Sequence, residues 1–191
     1  MPETDEKHGQ TEAAPWVVRF IEGVAAGGHV LDVACGGGRN ARLALARGLR
    51  VTAIDRDLSG VVDLADRAEV TLIEADLEDG SPFPLAGARF DGVVVTNYLW
   101  RPILADIVAA VADDGVLIYE TFARGQERLG RPANPDFLLK PDELVDAARP
   151  RLTVVAFEHG LIEGEKPRRV QRIAACGPGH AWVEEAPVPL T

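Results

Sequence analysis

The feature that most constrains the fold is an apolar strand that runs directly into three consecutive glycines. The stretch HVLDVACGGGRN, residues 29–40, places these glycines, 36–38, between a strand pattern and a helix pattern. Glycine turns tightly and lets the backbone approach a ligand closely, because it has no Cβ. A second apolar strand, 50–54, delivers the carboxylate of Asp55 at its C-terminal end, where a ribose lies in nucleotide-binding α/β folds. The first half of the chain is therefore predicted to hold a nucleoside.

Two kinds of nucleoside cofactor fit the glycine spacing. Gly36, Gly38 and Ala41 satisfy the GxGxxA form of the dinucleotide fingerprint, and Asp55 follows at roughly the 20-residue distance expected for NAD. Asp32, just before the glycines, opposes a pyrophosphate but suits a ligand that has an ammonium group and no phosphate. S-adenosylmethionine is such a ligand and is the predicted cofactor. An NAD-linked oxidoreductase is the alternative.

Four successive motifs resemble those of class I S-adenosylmethionine-dependent methyltransferases. They are VLDVACGGGRN at 30–40, AID at 53–55, EAD at 74–76 and FDGVVVTN at 90–97. The acid-x-Gly-x-Gly-x-Gly turn of this family maps onto Asp32, Ala34, Gly36 and Gly38, so alanine replaces one glycine. Within the family, the wording DVACGGGRNA most resembles the tellurite-resistance and thiol methyltransferases. The resemblance implies a methyltransferase that uses S-adenosylmethionine.

The order of the apolar segments predicts a Rossmann-like, doubly wound α/β domain. Short apolar runs that alternate with helices indicate a parallel sheet covered on both faces. The last two strands are too close together for a covering helix and should pair as an antiparallel hairpin. The predicted fold is a seven-stranded sheet, mostly parallel, with that hairpin at its C-terminal end. Strands are expected at 29–34, 50–55, 70–75, 90–96, 115–122, 152–159 and 169–176, with 113–115 as a turn, and helices at 15–24, 40–47, 58–68, 103–112 and 141–148.

Length and composition bound the remaining possibilities. The 191 residues, 47% of them hydrophobic, fit one domain at 13–177, with tails at 1–12 and 178–191. A net charge of -10 argues against nucleic-acid binding, and no apolar run reaches the ~20 residues that span a membrane. The two cysteines form no metal-ligand pattern, and no signal-peptide pattern precedes the domain. We therefore expect no metal and a cytoplasmic location.

Residues that follow the strands are the candidates for cofactor binding. Asp55 is predicted to accept hydrogen bonds from both ribose hydroxyls. Asp76 and Leu77 are predicted to meet the adenine, with a turn-forming Asp as the alternative for the first. Asp32 is predicted to contact the methionine end or to brace the glycine turn. Cys35 is interpreted as a small residue that packs beside the ligand, not as a nucleophile. The full predicted set is Asp32, Ala34, Cys35, Gly36, Gly38, Asp55, Arg56, Asp76, Leu77 and Asn97.

The methyl acceptor is expected beside residues 96–102 and under a lid formed by the connection 123–141. The family places its acceptor after the fourth strand, and long connections inside compact domains often cover binding sites. The acceptor is predicted to be a small molecule, anionic or a thiol, and a thiolate or an oxyanion can accept a methyl group without a general base. A regulatory protein that binds the cofactor without turnover is a further alternative. The predicted catalytic residues are Tyr98, Arg101 as an anion anchor and Glu120 as a base, with His159 as an alternative base, and the predicted substrate-binding residues are Trp100, Phe122, Arg124, Arg128, Arg131 and Asn134.

Overall fold

A computed structural model describes residues 12–185 and contains one seven-stranded mixed sheet. The strand order is β3-β2-β1-β4-β5-β7-β6, in which β7 runs antiparallel to both β5 and β6 and the other neighbours are parallel. The predicted fold class and the C-terminal hairpin are confirmed. The strands are β1 (His29–Val33), β2 (Arg50–Asp55), β3 (Val70–Glu74), β4 (Phe90–Thr96), β5 (Val111–Phe122), β6 (Thr153–Ile162) and β7 (Arg168–Cys176).

Short helices cover both faces of this sheet. The α-helices are α1 (Pro15–Phe20), α2 (Arg39–Ala46), α3 (Leu104–Ala109) and α4 (Glu143–Ala148), and 3₁₀ turns lie at Ile21–Gly23, Ser59–Leu64, Arg101–Ile103, Gln126–Arg128, Pro135–Phe137 and Ala181–Val183. Val116 and Ile118 of β5 join the core formed with α1 and α2, while Leu117 and Tyr119 join the core formed with α3 and α4. This alternation is the reason that the strands are apolar at nearly every position.

Two local predictions were wrong. The helix expected at 58–68 is a 3₁₀ turn at Ser59–Leu64, interrupted by Val61 with φ of -132°. Gly60 and β-branched Val61 and Val62 favour helices weakly, which accounts for the short element. The turn expected at 113–115 lies inside β5, where four residues of β5, 112–115, lie opposite one residue of β4, Asp91. A Cβ on Gly115 would lie 2.7 Å from the Phe90 carbonyl oxygen, so glycine permits the close approach.

Residues 178–185, predicted as part of a tail, extend the domain. The Trp182 ring packs edge-on against Phe20 at a centroid distance of 6.1 Å. His180 Nε2 lies 2.9 Å from the Gly23 carbonyl oxygen, and Gly179 donates its N–H to the Asp113 carbonyl at 2.8 Å. The predicted N-terminal tail lies outside the described residues except for Glu12. Within 12–185, the structure has no helix of the length and apolarity that a bilayer crossing needs.

Candidate active site

A cavity of about 850 Å³ opens at the carboxyl ends of β1 to β4. The strand order reverses between β1 and β4, and open α/β sheets bind ligands at that switch point. Nine of the residues predicted for the site lie together on its wall: Ala34, Cys35, Gly36, Asp55, Arg56, Asp76, Leu77, Asn97 and Tyr98.

The glycine turn has the left-handed backbone that its sequence predicts. Gly36 has φ of +52° and Gly38 has φ of +69°, while Ala34 tolerates +53° in place of the family's glycine. Gly38 does not line the cavity; it precedes α2, and a Cβ there would collide with the Val61 side chain. Of the two glycines predicted to bind the cofactor, Gly36 therefore faces the cavity and Gly38 allows α2 to pack.

Asp55 joins the glycine turn to the end of β2. Its Oδ2 accepts the Gly36 N–H at 2.8 Å, and its Oδ1 accepts the Asp57 N–H at 3.1 Å. A carboxylate has about four lone-pair positions, so two remain for ribose hydroxyls. The carboxylate is thus fixed in orientation and still able to accept.

Asp32 lies behind the turn, with 1% of its surface exposed. The Ala41 N–H of α2 hydrogen-bonds its carboxylate, but Oδ2 has no partner among the described residues. Burial raises the pKa of Asp32 to about 7, and Asp55 adds to this effect, whereas the Ala41 N–H and Arg39 oppose it. This placement fits the bracing role, and a nearby cationic group would favour the ionised carboxylate.

Asp76 and Leu77 form the cavity wall after β3. The Oδ1 atom of Asp76 accepts the Glu78 N–H at 2.9 Å, which makes the predicted turn, and the residue also lines the cavity. Leu77 is 8% exposed and gives the wall an apolar surface. An acidic side chain beside an apolar one suits a purine with an exocyclic amine.

The wall therefore fits S-adenosylmethionine better than a dinucleotide. Acids stand at the ends of β2 and β3, and a third with an unpartnered oxygen lies behind the glycine turn. Such a set can hold ribose hydroxyls, an adenine amine and an ammonium, whereas a pyrophosphate would be repelled.

Tyr98 is the acceptor-side residue that the sequence placed correctly on the cavity wall. Its carbonyl accepts the Tyr119 hydroxyl at 2.9 Å, which fixes the backbone after β4. Its own Oη is buried without a partner among the described residues. Burial, with Glu78 and Asp76 nearby, raises the pKa of Tyr98 far above its ordinary range. Tyr98 can therefore donate a hydrogen bond to a ligand but is not a base.

Arg101, predicted to anchor an anionic acceptor, is absent from the cavity wall and binds other parts of the protein. Its Nε and Nη2 bind the Glu143 carboxylate at 2.6 and 2.9 Å, and Nη1 and Nη2 donate to the carbonyls of Asp136 and Leu138 at 2.5 and 2.9 Å. The 3₁₀ turn that begins at Arg101 directs the guanidinium toward α4. We call these four hydrogen bonds the Arg101 clamp.

Glu120 is also not a free base. It is 2% exposed, and its oxygens lie 3.3 Å from Arg172 and 3.9 Å from Arg168, both on β7. His159, the alternative base, is exposed on β6 opposite Gln171 and away from the cavity wall.

The connection 123–141 is held at both ends by backbone hydrogen bonds. Leu139 donates to the Phe122 carbonyl at 2.9 Å, and Arg124 donates to the Leu139 carbonyl at 3.0 Å. Within it, Gln126 Oε1 accepts the Arg169 N–H at 2.8 Å. One residue of this connection, Phe137, reaches the cavity wall.

The predicted substrate-binding residues lie elsewhere. Asn134 caps a 3₁₀ turn by accepting the Asp136 N–H at 3.0 Å, and Trp100 packs against the core. The remaining four, Phe122, Arg124, Arg128 and Arg131, are absent from the cavity wall, and the three arginines are exposed.

Sequence reasoning missed several wall residues, of which Phe137, Lys166 and Arg39 carry the most chemistry. Phe137 is the one aromatic residue of the segment 123–141, which was a usable signal. Lys166 belongs to the β6–β7 connection, which was treated only as a link. Arg39 is the first residue of α2, directly after the glycine turn.

The cavity wall includes one thiol, that of Cys35. Cys35 lines the cavity, but burial and the nearby Asp32 raise its pKa well above the ordinary thiol range, so it is a poor nucleophile. Residues 12–185 contain no group of His, Cys, Asp and Glu side chains arranged to hold a metal ion.

Comparisons with known proteins agree with this geometry. A family model described as "Methyltransferase domain" matches residues 30–115. Similar solved structures include TehB from Haemophilus influenzae, with 17% identity over 90% of this chain and a TM-score of 0.70; this chain covers 65% of TehB. The N-methyltransferase NodS from Bradyrhizobium japonicum WM9 has 16% identity over 85% of this chain and 92% of its own, with a TM-score of 0.64.

A third similar structure is the 1,6-didemethyltoxoflavin-N1-methyltransferase of Burkholderia thailandensis with bound S-adenosylhomocysteine. It shares 21% identity over 84% of this chain and 76% of its own, with a TM-score of 0.62. No curated protein sequence matches significantly. At these identities the structural likenesses establish the fold, and the family model adds the class of domain. Residues 30–115 match the methyltransferase-domain family, and the described fold is that of the class I S-adenosylmethionine-dependent methyltransferases.

Proposed function

We propose that this protein transfers a methyl group from S-adenosylmethionine to a small-molecule acceptor. The observation that carries the proposal is the single cavity in which residues suited to the cofactor meet an end walled by Phe137 and Lys166. Its volume of about 850 Å³ lies in the upper part of the range for small-molecule sites, roughly 300 to 1,000 Å³. A nucleoside and a small acceptor fit such a space together.

Each end of the cofactor has a residue of this chain to hold it. Asp55 would accept from the ribose hydroxyls, and Asp76 with Leu77 would receive the adenine. Asp32, ionised beside an ammonium, would brace the glycine turn at the methionine end. When bound, the cofactor supplies a methyl group on a sulfonium, which is an activated leaving group. The chain therefore contributes alignment and exclusion of water.

Among the described residues, Tyr98, Cys35 and Glu120 are not ready general bases. Tyr98 and Cys35 have raised pKa values, and Glu120 is held in ion pairs with two arginines. An acceptor that is nucleophilic as it binds, such as a thiolate, an oxyanion or a neutral amine, would react without one. This supports the predicted anionic or thiol acceptor.

Two alternatives receive less support. The acids that surround the glycine turn disfavour a dinucleotide and hence an NAD-linked oxidoreductase. A regulatory protein without turnover would be favoured by an occluded acceptor end, but here the cavity extends to Phe137 and Lys166. The absence of nucleic-acid partners and the cytoplasmic location stay predictions, based on the net charge of -10 and on the cysteine pattern.

Calorimetric titration with S-adenosylmethionine, S-adenosylhomocysteine and NAD tests the cofactor assignment. We expect both sulfur nucleosides to bind and NAD not to bind. Asp55→Ala should weaken binding of the sulfur nucleosides by about 1.5–3 kcal/mol, the range for hydrogen bonds to a charged group. Asp66→Ala, at an exposed aspartate away from the cavity, is the matched control and should bind like the native protein. Binding of NAD alone would overturn the proposal.

A further inference from the structure

We infer that the methyl acceptor is a small organic anion with an apolar body, which Lys166 and Phe137 select at the end of the cavity. This inference rests on the proposed function and adds the chemical class of its substrate. The two residues come from segments outside the matched methyltransferase domain at 30–115, where the cofactor motifs lie.

Opposite charges are separated along the cavity wall. The acidic side chains of the wall, those of Asp55, Asp57, Asp76 and Glu78, all come from the ends of β2 and β3. Of the wall's cations, Arg56 lies among these acids, but Arg39 follows β1 and Lys166 comes from the β6–β7 connection. An anion placed away from the β2 and β3 loops avoids the acids and meets a cation.

The carboxylate near the end of β5 does not oppose an anion in this part of the site. Glu120 is 2% exposed, and its oxygens lie 3.3 Å from Arg172 and 3.9 Å from Arg168. These two guanidinium groups, both on β7, offset the negative charge of Glu120.

Phe137 gives the cavity wall a fixed apolar surface. The Arg101 clamp binds the carbonyls of Asp136 and Leu138, the residues on either side of Phe137. The ring is therefore held at the cavity wall by the backbone on both sides. A phenyl ring offers no hydrogen bond, so the acceptor portion that it contacts is apolar.

The two wall cations that lie apart from the acids, Arg39 and Lys166, divide between cofactor and acceptor. Arg39 begins α2 directly after the glycine turn, and we assign it to the carboxylate of the cofactor. Lys166 is brought to the cavity by the β6–β7 connection, and we assign it to the acceptor anion. An ammonium group is a point charge that accepts carboxylates and other oxyanions without a demanding geometry.

Ligand-observed NMR on the protein saturated with S-adenosylhomocysteine tests the inference with three pairs of probes. Each pair is an aromatic carboxylate and its neutral amide: benzoate and benzamide, phenylacetate and phenylacetamide, indole-3-acetate and its amide. We expect at least one acid to bind roughly two- to fivefold more tightly than its amide, the effect of a partly exposed ion pair. Lys166→Gln should remove this preference.

Two controls keep the outcomes separate. Lys140→Gln changes an exposed lysine that is absent from the cavity wall and should retain the preference for the acid. Calorimetry with S-adenosylhomocysteine on the same samples reports the cofactor site. If that nucleoside binds but acids and amides bind equally, or Lys166→Gln leaves the preference intact, the inference is wrong and the proposed function stands. If the nucleoside fails to bind, the proposed function itself fails.

Discussion

The Arg101 clamp gives a prediction with a calculable size. Removing the side chain, Arg101→Ala, deletes the two-pronged contact with Glu143 and both hydrogen bonds to the carbonyls beside Phe137. The side chains of the pair are 32% and 18% exposed, so the pair lies between the surface and buried classes. Exposed pairs contribute about 0–1 kcal/mol, and breaking a buried pair costs about 3–5 kcal/mol. We therefore expect a loss of about 2 kcal/mol in the free energy of unfolding.

Urea and thermal unfolding measure the loss of stability, and hydrogen exchange measures how firmly the backbone around Phe137 is held. For a chain of this size, about 2 kcal/mol corresponds to a fall of roughly 4–8 °C in Tm. Exchange at residues 134–139 should quicken, because the clamp fixes that backbone. Arg124→Ala, which removes an exposed arginine from the same connection, is the matched control and should leave both readouts near native values.

A double-mutant cycle with Glu143→Gln isolates the contribution of the pair. We expect a coupling energy of about 1 kcal/mol or more between the two positions. A coupling below about 0.3 kcal/mol, or unchanged exchange at 134–139, would show that the clamp does not hold Phe137 in place.

Three further changes test other parts of the structure. Burial raises the folded-state pKa of Asp32 to about 7. The neutral carboxyl therefore contributes to the free energy of unfolding below about pH 4, and this contribution is lost as the pH rises through 7. Asp32→Asn should flatten the pH profile of the unfolding free energy between these values, and an unchanged profile would contradict the prediction. Gly38→Ala would place a Cβ on a left-handed backbone and against the Val61 side chain, whereas Gly80→Ala would only place it on a left-handed backbone. Urea unfolding should show a larger loss of unfolding free energy at Gly38, of about 1–3 kcal/mol, than at Gly80. Trp182→Ala should lower Tm by several degrees in thermal unfolding, because the half-buried indole covers α1, and an unchanged Tm would return residues 178–185 to the status of a tail.

The nucleoside half of the site could be predicted because its information is local. Each strand there ends beside the residue that acts, so finding β1, β2 and β3 also located the glycine turn, Asp55 and Asp76. Strands β2 and β4 have the bounds that the apolar runs predict. Hydrophobic runs and glycine turns depend on neighbours in sequence, and such signals are readable from one chain.

The acceptor half could not be predicted in the same way because its partners are distant in sequence. Glu120 looked like a free base until β7 brought Arg172 opposite it, 52 residues later. Arg101 looked like an anion anchor, but Glu143 lies 42 residues away, and nothing near Arg101 marks it as a partner. Within the connection 123–141, the exposed arginines were predicted to bind the substrate. The residue of this connection that lies on the cavity wall is Phe137, whose backbone neighbours the Arg101 clamp holds.

The packing of residues 178–185 on α1 has a consequence for the order of assembly during synthesis. Trp16 Nε1 donates to the Ile173 carbonyl, and His180 meets Gly23, contacts that each join residues 157 positions apart. Asn40 Oδ1 accepts the Ala14 N–H, while its Nδ2 donates to Thr96 on the cavity wall. As the chain leaves the ribosome, α1 is made early, but its contacts are complete only when β7 and Trp182 have followed. Because contacts between distant residues form slowly, we expect the packing of α1 to be among the last steps of folding.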